Sequence, residues 1–205
     1  MTQQWAVPNA RRILCSCFDG TGTAALILSI LCIPVLAYVS WEIDKRCNEL
    51  TSTLFPRVQH RGDFTKDNID DLLQFLDAID PEQTAEDIFC AGPPCPDFSQ
   101  IRGSNAPGRK GTEGQKFDLC IDFVDKLRSR TNRKFRILFE SVVMDPAEQT
   151  HFDQRLKAKS IVGEAADLKV IRRPRLWWTS VNWDTTKFDL GKHNELRRAR
   201  IPDAI

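Results

Sequence analysis

The chain has 205 residues, 41% of them hydrophobic, and a formal net charge of +1. That length suits one domain with a substantial core, and the charge argues neither for nor against a nucleic-acid partner. The cysteine count is odd, and Cys15, Cys17, Cys32, Cys90 and Cys120 lie inside apolar runs. This pattern points to buried thiols in a reducing, intracellular compartment rather than a disulfide framework. No histidine neighbours a cysteine pair, so zinc-ligand spacing is missing.

Residues 1–10 are polar and read as a tail without a secretory signal. Ile13 to Phe18 reads as a strand, with Cys15-Ser16-Cys17 as its alternation. The turn Asp19-Gly20-Thr21-Gly22 leads into a helix over about 23–32. Ala24 to Trp41 is nearly free of polar groups and about long enough to cross a bilayer. Pro34 interrupts it and Glu42-Ile43-Asp44-Lys45-Arg46 follows, so a buried helix, a proline break and a strand over Val35 to Ser40 are expected instead. Arg57 to Arg61 gives a short third strand.

Lys66 to Ile79 carries Ile69, Leu72, Leu73 and Leu76 at helical spacing. Ile88 to Ala91 is a fourth strand, and Ser99 to Gly114 reads as a mobile loop. Phe117 to Leu127 is a second amphipathic helix and Phe135 to Phe139 a fifth strand. Asp145-Pro146-Ala147-Glu148 is an N-cap, a first-turn proline and a capping acid. Ser160 to Val162 and Leu176 to Val181 read as later strands. Strand and helix in alternation predict an α/β domain over 11–183, a mostly parallel sheet with helices on both faces, and a short basic tail over 184–205. Acids dominate Asp63 to Asp97 and bases dominate 101–136 and 155–200. Either the molecule has one positive side or these are ordinary solvated faces.

The chemistry centres on Gly92-Pro93-Pro94-Cys95-Pro96-Asp97-Phe98-Ser99. A cysteine between prolines at a strand end packs a core poorly but presents a thiol on a stiff loop. The Gly20-Thr21-Gly22 turn lets a ligand approach the backbone. Glu42, at the end of the second strand, is placed either for ribose hydroxyls or for capping. Asp63 similarly suits an adenine amine or surface capping. Glu140 lies among Phe139, Val142 and Val143, which predicts either a buried acid with a raised pKa or one paired to Arg173 or Arg175. The Arg172-Arg173-Pro174-Arg175 run is either a phosphate-contacting cluster or a solvated turn. Trp177, Trp178 and Trp183 suit a core or interface better than base stacking.

In this order the motifs resemble those of the C5-cytosine DNA methyltransferases, over residues 11–182. The resemblance implies a Rossmann-like, S-adenosylmethionine-dependent fold. It implies a cofactor site from Phe18, Asp19, Gly20, Thr21, Gly22, Thr23, Glu42, Ile43, Asp63, Phe64 and Pro93. It implies catalysis by Cys95, Glu140, Arg173 and Arg175. Cys95 then adds to C6 of a cytosine swung out of DNA, Glu140 serves N3, and the methyl passes to C5. Pro-Cys-x-Asp-x-Ser at 94–99, with Arg109-Lys110-Gly111 and Glu113-Gly114, is similar to the de novo-type branch. Ser141 stands where that family has Asn, and Pro96 where Gln or Asn is common. The family normally continues into a target-recognition region and a final segment completing the cofactor pocket, for which Asp184 to Ile205 is too short and polar. The resemblance therefore also accommodates a regulatory subunit, a partner methyltransferase supplying recognition elements, or a tRNA substrate.

Overall fold

The computed structural model describes residues 11–99, 106–164 and 173–181. The tail over 1–10, the 184–205 segment, Arg172, Trp183 and part of the Ser99–Gly114 loop lie outside the described residues. Seven strands form one sheet: β1 (Arg12–Cys17), β2 (Val35–Trp41), β3 (Gln59–His60), β4 (Glu86–Ala91), β5 (Phe135–Val142), β6 (Ile161–Glu164) and β7 (Pro174–Thr179). Their order is β3-β2-β1-β4-β5-β7-β6. The first five strands run parallel, and β7 is antiparallel to both β5 and β6. The helices are α1 (Thr23–Ile30), α2 (Lys45–Leu54), α3 (Ile69–Ile79), α4 (Gln115–Ser129) and α5 (Pro146–Leu156). The Rossmann-like expectation holds.

Period-two alternation sends Ile13, Cys15 and Cys17 to one face of β1 and Leu14 to the other. On the first face, Leu72 and Leu76 of α3, Phe117, Ile121 and Val124 of α4 and Phe152 of α5 meet Val39, Phe89, Phe139 and Trp178. Phe117 stacks on Phe152 at 4.0 Å and on Phe139 at 5.6 Å. The second face is thinner, with Ala25 of α1 over Leu14, Tyr38 and Cys90.

The expected buried first helix is corrected here. Leu26, Ile27, Ile30 and Leu31 are exposed, because only the narrow Ala24, Ala25 and Leu28 stripe reaches the sheet. Cys32 is exposed as well. No described helix is long and apolar enough to cross a membrane, since α1 stops before Pro34. A helix absent from the sequence reading, α2, follows β2. Asp44 caps it by accepting from the Arg46 and Cys47 amides, and Thr51 is its one buried residue. Its polar face carries no helical hydrophobic period to read.

The charge segregation closes on itself. Arg133, fully buried, pairs with Asp77, Asp80 and Asp87, while Arg130 reaches Asp70 and Arg136 reaches Glu86. Acids and bases far apart in sequence meet at the end of the sheet where β4 and β5 begin.

Candidate active site

Register places the other end of the sheet. Cys17 pairs with Trp41 and with Ala91, and Ala91 pairs with Phe139. Phe18, Glu42 and Gly92, which follow β1, β2 and β4, and Glu140, still on β5 opposite Trp177 of β7, therefore lie side by side at this edge. This is the carboxyl edge of a parallel sheet, where α/β proteins bind ligands.

After β1 the chain turns sharply. Phe18 takes a left-handed φ of 54°, and its amide donates to the Trp41 carbonyl at 3.0 Å. The Gly20 amide donates to Glu42 Oε2 at 2.8 Å. The Ile43 and Asp44 amides donate to Glu42 Oε1 at 2.7 and 2.8 Å. One carboxylate thus holds both the glycine turn and its own loop. Beneath the turn, the Tyr38 and Ser40 hydroxyls donate to buried Asp19 Oδ2, Ser40 at 2.7 Å. Burial, then the Asp19 carboxylate, pushes the Tyr38 hydroxyl pKa upward. Gly22 has φ 76° and sits so close to Tyr38 that an added Cβ would lie 3.0 Å from its hydroxyl.

A cavity of about 500 Å³ opens beside this turn. Phe18, Glu42, Ile43, Asp63 and Phe64, five of the residues that the resemblance assigns to a cofactor, line it. Phe18 and Phe64 meet edge to face at 5.3 Å. Asp63 Oδ1 accepts from the Thr65 amide and hydroxyl, and the Thr65 side chain holds its carboxyl below the usual range. Its capping and cavity-lining positions therefore coincide. Asp19, Gly20, Thr21, Gly22 and Thr23 shape the turn but are not among the lining residues, and Pro94 lines the cavity where Pro93 was expected. Sequence reasoning missed Thr112, Gln115, Lys116 and Leu119, which form the far wall. Gln115, Lys116 and Leu119 recur at helical spacing on α4 opposite its buried Phe117 and Ile121, so the face left over from the core was their signal, while Thr112 lies in the turn before the helix.

Cys95 is half-buried, four residues past the end of β4, and its carbonyl accepts from the Phe98 amide at 3.1 Å. Glu140 is neither deeply buried nor alone. Arg175 Nε meets its Oε1 at 2.8 Å with both side chains partly exposed, which selects the paired alternative. A Cβ added to Gly92 would lie 3.8 Å from Glu140 Oε2. One carboxylate oxygen is thus held by arginine while the other overlies the strand end that carries Cys95. On the antiparallel β5–β7 ladder Arg175 stands opposite Val142 and Glu140 opposite Trp177, which makes Glu140 and Arg175 diagonal neighbours on one face. Arg173 stays outside: its side chain is exposed, and its amide donates to Glu164 Oε1 at 2.6 Å. Ser141 is buried, and its hydroxyl has no partner among the described residues. Trp178 is core and Trp177 half-buried.

Residues 14–142 match the family model described as C-5 cytosine-specific DNA methylase. Among solved structures, the Dnmt2 methyltransferase of S. pombe superposes with a TM-score of 0.58 at 16% identity, covering 87% of this chain and 52% of that one. The Entamoeba histolytica methyltransferase EhMeth gives 0.63 at 13% identity, over 88% and 56%. A mutant of Spodoptera frugiperda DNMT2 gives 0.54 at 17% identity, over 88% and 54%. The chain spans about half the length of these structures. No curated protein matches the sequence.

Proposed function

The chain belongs to the C-5 cytosine-specific DNA methylase family, and from that premise we propose that it methylates C5 of cytosine in DNA through a covalent Cys95 adduct. The observation that carries this reading is the divided Glu140 carboxylate, with Oε1 on Arg175 and Oε2 over Gly92, three residues before Cys95.

The cavity fits S-adenosylmethionine. Glu42 and Asp63 offer acceptor oxygens for ribose hydroxyls and an adenine amine, and Phe18 and Phe64 offer an apolar wall. When bound, this cofactor supplies an electrophilic methyl group. The chain's own residues do the rest. The Cys95 thiolate adds to C6 of a flipped cytosine. A proton on Glu140 Oε2 passes to N3, so negative charge does not accumulate on the ring. With the methyl on C5, a solvent water takes the C5 proton, the C6–S bond breaks to return the thiolate, and the N3 proton goes back to Glu140. Arg175 keeps Glu140 oriented throughout. Arg173 contacts a DNA phosphate in this reading, because its exposed guanidinium has no place beside Glu140.

The test uses the full chain with S-adenosylmethionine and a duplex or a tRNA containing 5-fluorocytosine, which lacks the C5 proton whose loss releases the enzyme. The expected result is a denaturation-stable adduct with duplex DNA that is absent in Cys95→Ser. An adduct with tRNA alone would reassign the substrate. No adduct with either, despite measurable cofactor binding, would make the chain a non-catalytic regulatory relative of a complete methyltransferase.

A further inference from the structure

Two residues beyond Cys95, Asp97 is almost fully buried. Its Oδ2 accepts from the Glu113 amide at 2.9 Å and the Gly114 amide at 3.0 Å, at the amino end of α4. Its backbone carbonyl accepts from the Gly108 amide at 2.9 Å. The loop that leaves the nucleophile therefore returns to the same residue that begins it. Space is kept for this contact at two glycines. A Cβ on Gly111 would lie 2.2 Å from Asp97 Oδ2, and one on Gly114 would lie 2.0 Å from the Gly108 carbonyl oxygen. Neighbouring Phe98 is anchored too, buried edge-on against Phe152 at 5.5 Å.

The other side of this junction matters more. Thr112, Gln115 and Lys116, which flank the two amides that Asp97 receives, form the far wall of the cofactor cavity. One carboxylate therefore joins the turn bearing the thiol to the wall facing the methyl donor. A carboxylate at the amino end of a fifteen-residue helix is favoured by its dipole as well as by hydrogen bonds. We propose that Asp97 is a positioning residue for the methyl transfer: it fixes the distance between Cys95 and the cofactor wall without touching substrate. The proposal rests on Cys95 being the nucleophile.

Three measurements on the full chain test it: thermal melting, adduct formation on the 5-fluorocytosine duplex, and alkylation of Cys95 by iodoacetamide. A displacement of about 1 Å in a reacting group is worth about 100-fold in rate. Asp97→Ala is expected to slow adduct formation by that order at saturating DNA while the protein remains folded, with little change in the DNA concentration at half-saturation. Asp97→Asn, which keeps an acceptor oxygen, is expected to fall between. Alkylation of the half-buried thiol should become about fivefold faster in Asp97→Ala once the turn is released. A purely structural Asp97 predicts losses that follow the unfolded fraction alone, and that result, or an adduct rate within about threefold of wild type, overturns the proposal. If wild type forms no adduct at all, the methyltransferase reading fails separately. The alkylation rate then decides the Asp97 tether, an unchanged rate overturning it. Where Asp97→Ala does not fold, the same comparisons are made on Asp97→Asn.

Discussion

Glu42 shows how one side chain can fasten a turn and line a cavity at once. Its oxygens already accept three amides, from Gly20, Ile43 and Asp44, and still face the cavity. Hydrogen bonds to a charged acceptor are worth about 1.5–3 kcal/mol each. In the proposed reading Glu42→Ala therefore costs twice, by freeing the glycine turn and by removing the proposed ribose acceptor. S-adenosylmethionine affinity, read by equilibrium dialysis, is expected to fall at least about tenfold. Glu42→Gln, whose single carbonyl cannot serve both Gly20 and the Ile43–Asp44 amides, should lie between. An affinity within twofold of wild type in the alanine variant would remove Glu42 from the cofactor site. At Glu140 the expectation differs: Glu140→Gln keeps a neutral acceptor for Arg175 but has no transferable proton. Adduct formation is expected to drop about 100-fold with cofactor affinity unchanged.

Elements were legible where one face was strongly apolar and opaque where it was not. β1, β4, α3 and α4 carry their periods openly, and the sequence reading placed each within a few residues. The α2 helix was missed because it contributes one buried residue, Thr51, and no stripe, yet Asp44 with two amides in its grasp is a plain start signal. Asp44→Ala is expected to cost about 1 kcal/mol in a denaturant titration, with Asp44→Asn near wild type. Of the candidate site, Glu42, Asp63, Cys95 and Glu140 were legible from their places at or just past strand ends, whereas Phe18 and Phe64 were named only through the family resemblance. The site was not legible at Asp97 or Thr112. Those contacts depend on a loop returning to its own start, which neither propensity nor periodicity encodes. Arg173 and Arg175 illustrate the same limit: both were expected at the site, but Arg173 precedes β7, and the β5–β7 register sets only Arg175, opposite Val142, diagonal to Glu140.

Across the whole molecule, chemistry and electrostatic fastening occupy opposite ends of the sheet. At the far end, Arg133 bridges Asp77, Asp80 and Asp87 and donates to the Leu76 and Asp80 carbonyls. Burial raises the Asp87 pKa from 3.8 to about 6, against the opposing pull of Arg133. Burial also pushes Asp80 upward, but the Ala85 and Thr84 amides and Arg133 outweigh it, and its pKa is lowered. These signs oppose each other in different windows. Asp87 binds its proton more tightly folded than unfolded, so its contribution is complete below about pH 4 and is lost as the pH rises through about 6. Asp80 binds its proton less tightly folded, so its contribution is present above about pH 4 and is lost as the pH falls further. Between pH 4.5 and 7.5 the Asp87 effect dominates this pair. Relative to Asp87→Asn, wild type should therefore gain stability as the pH is lowered from 7.5 to 4.5, by about 2 kcal/mol. Thermal melts of both proteins across that range measure it, and parallel profiles would refute the assignment. Cofactor affinity at pH 7.5 should be the same in both, because Asp87 opens β4 while the cavity lies past its other end. An affinity change in Asp87→Asn would mean that the sheet transmits strain along β4 to Pro94.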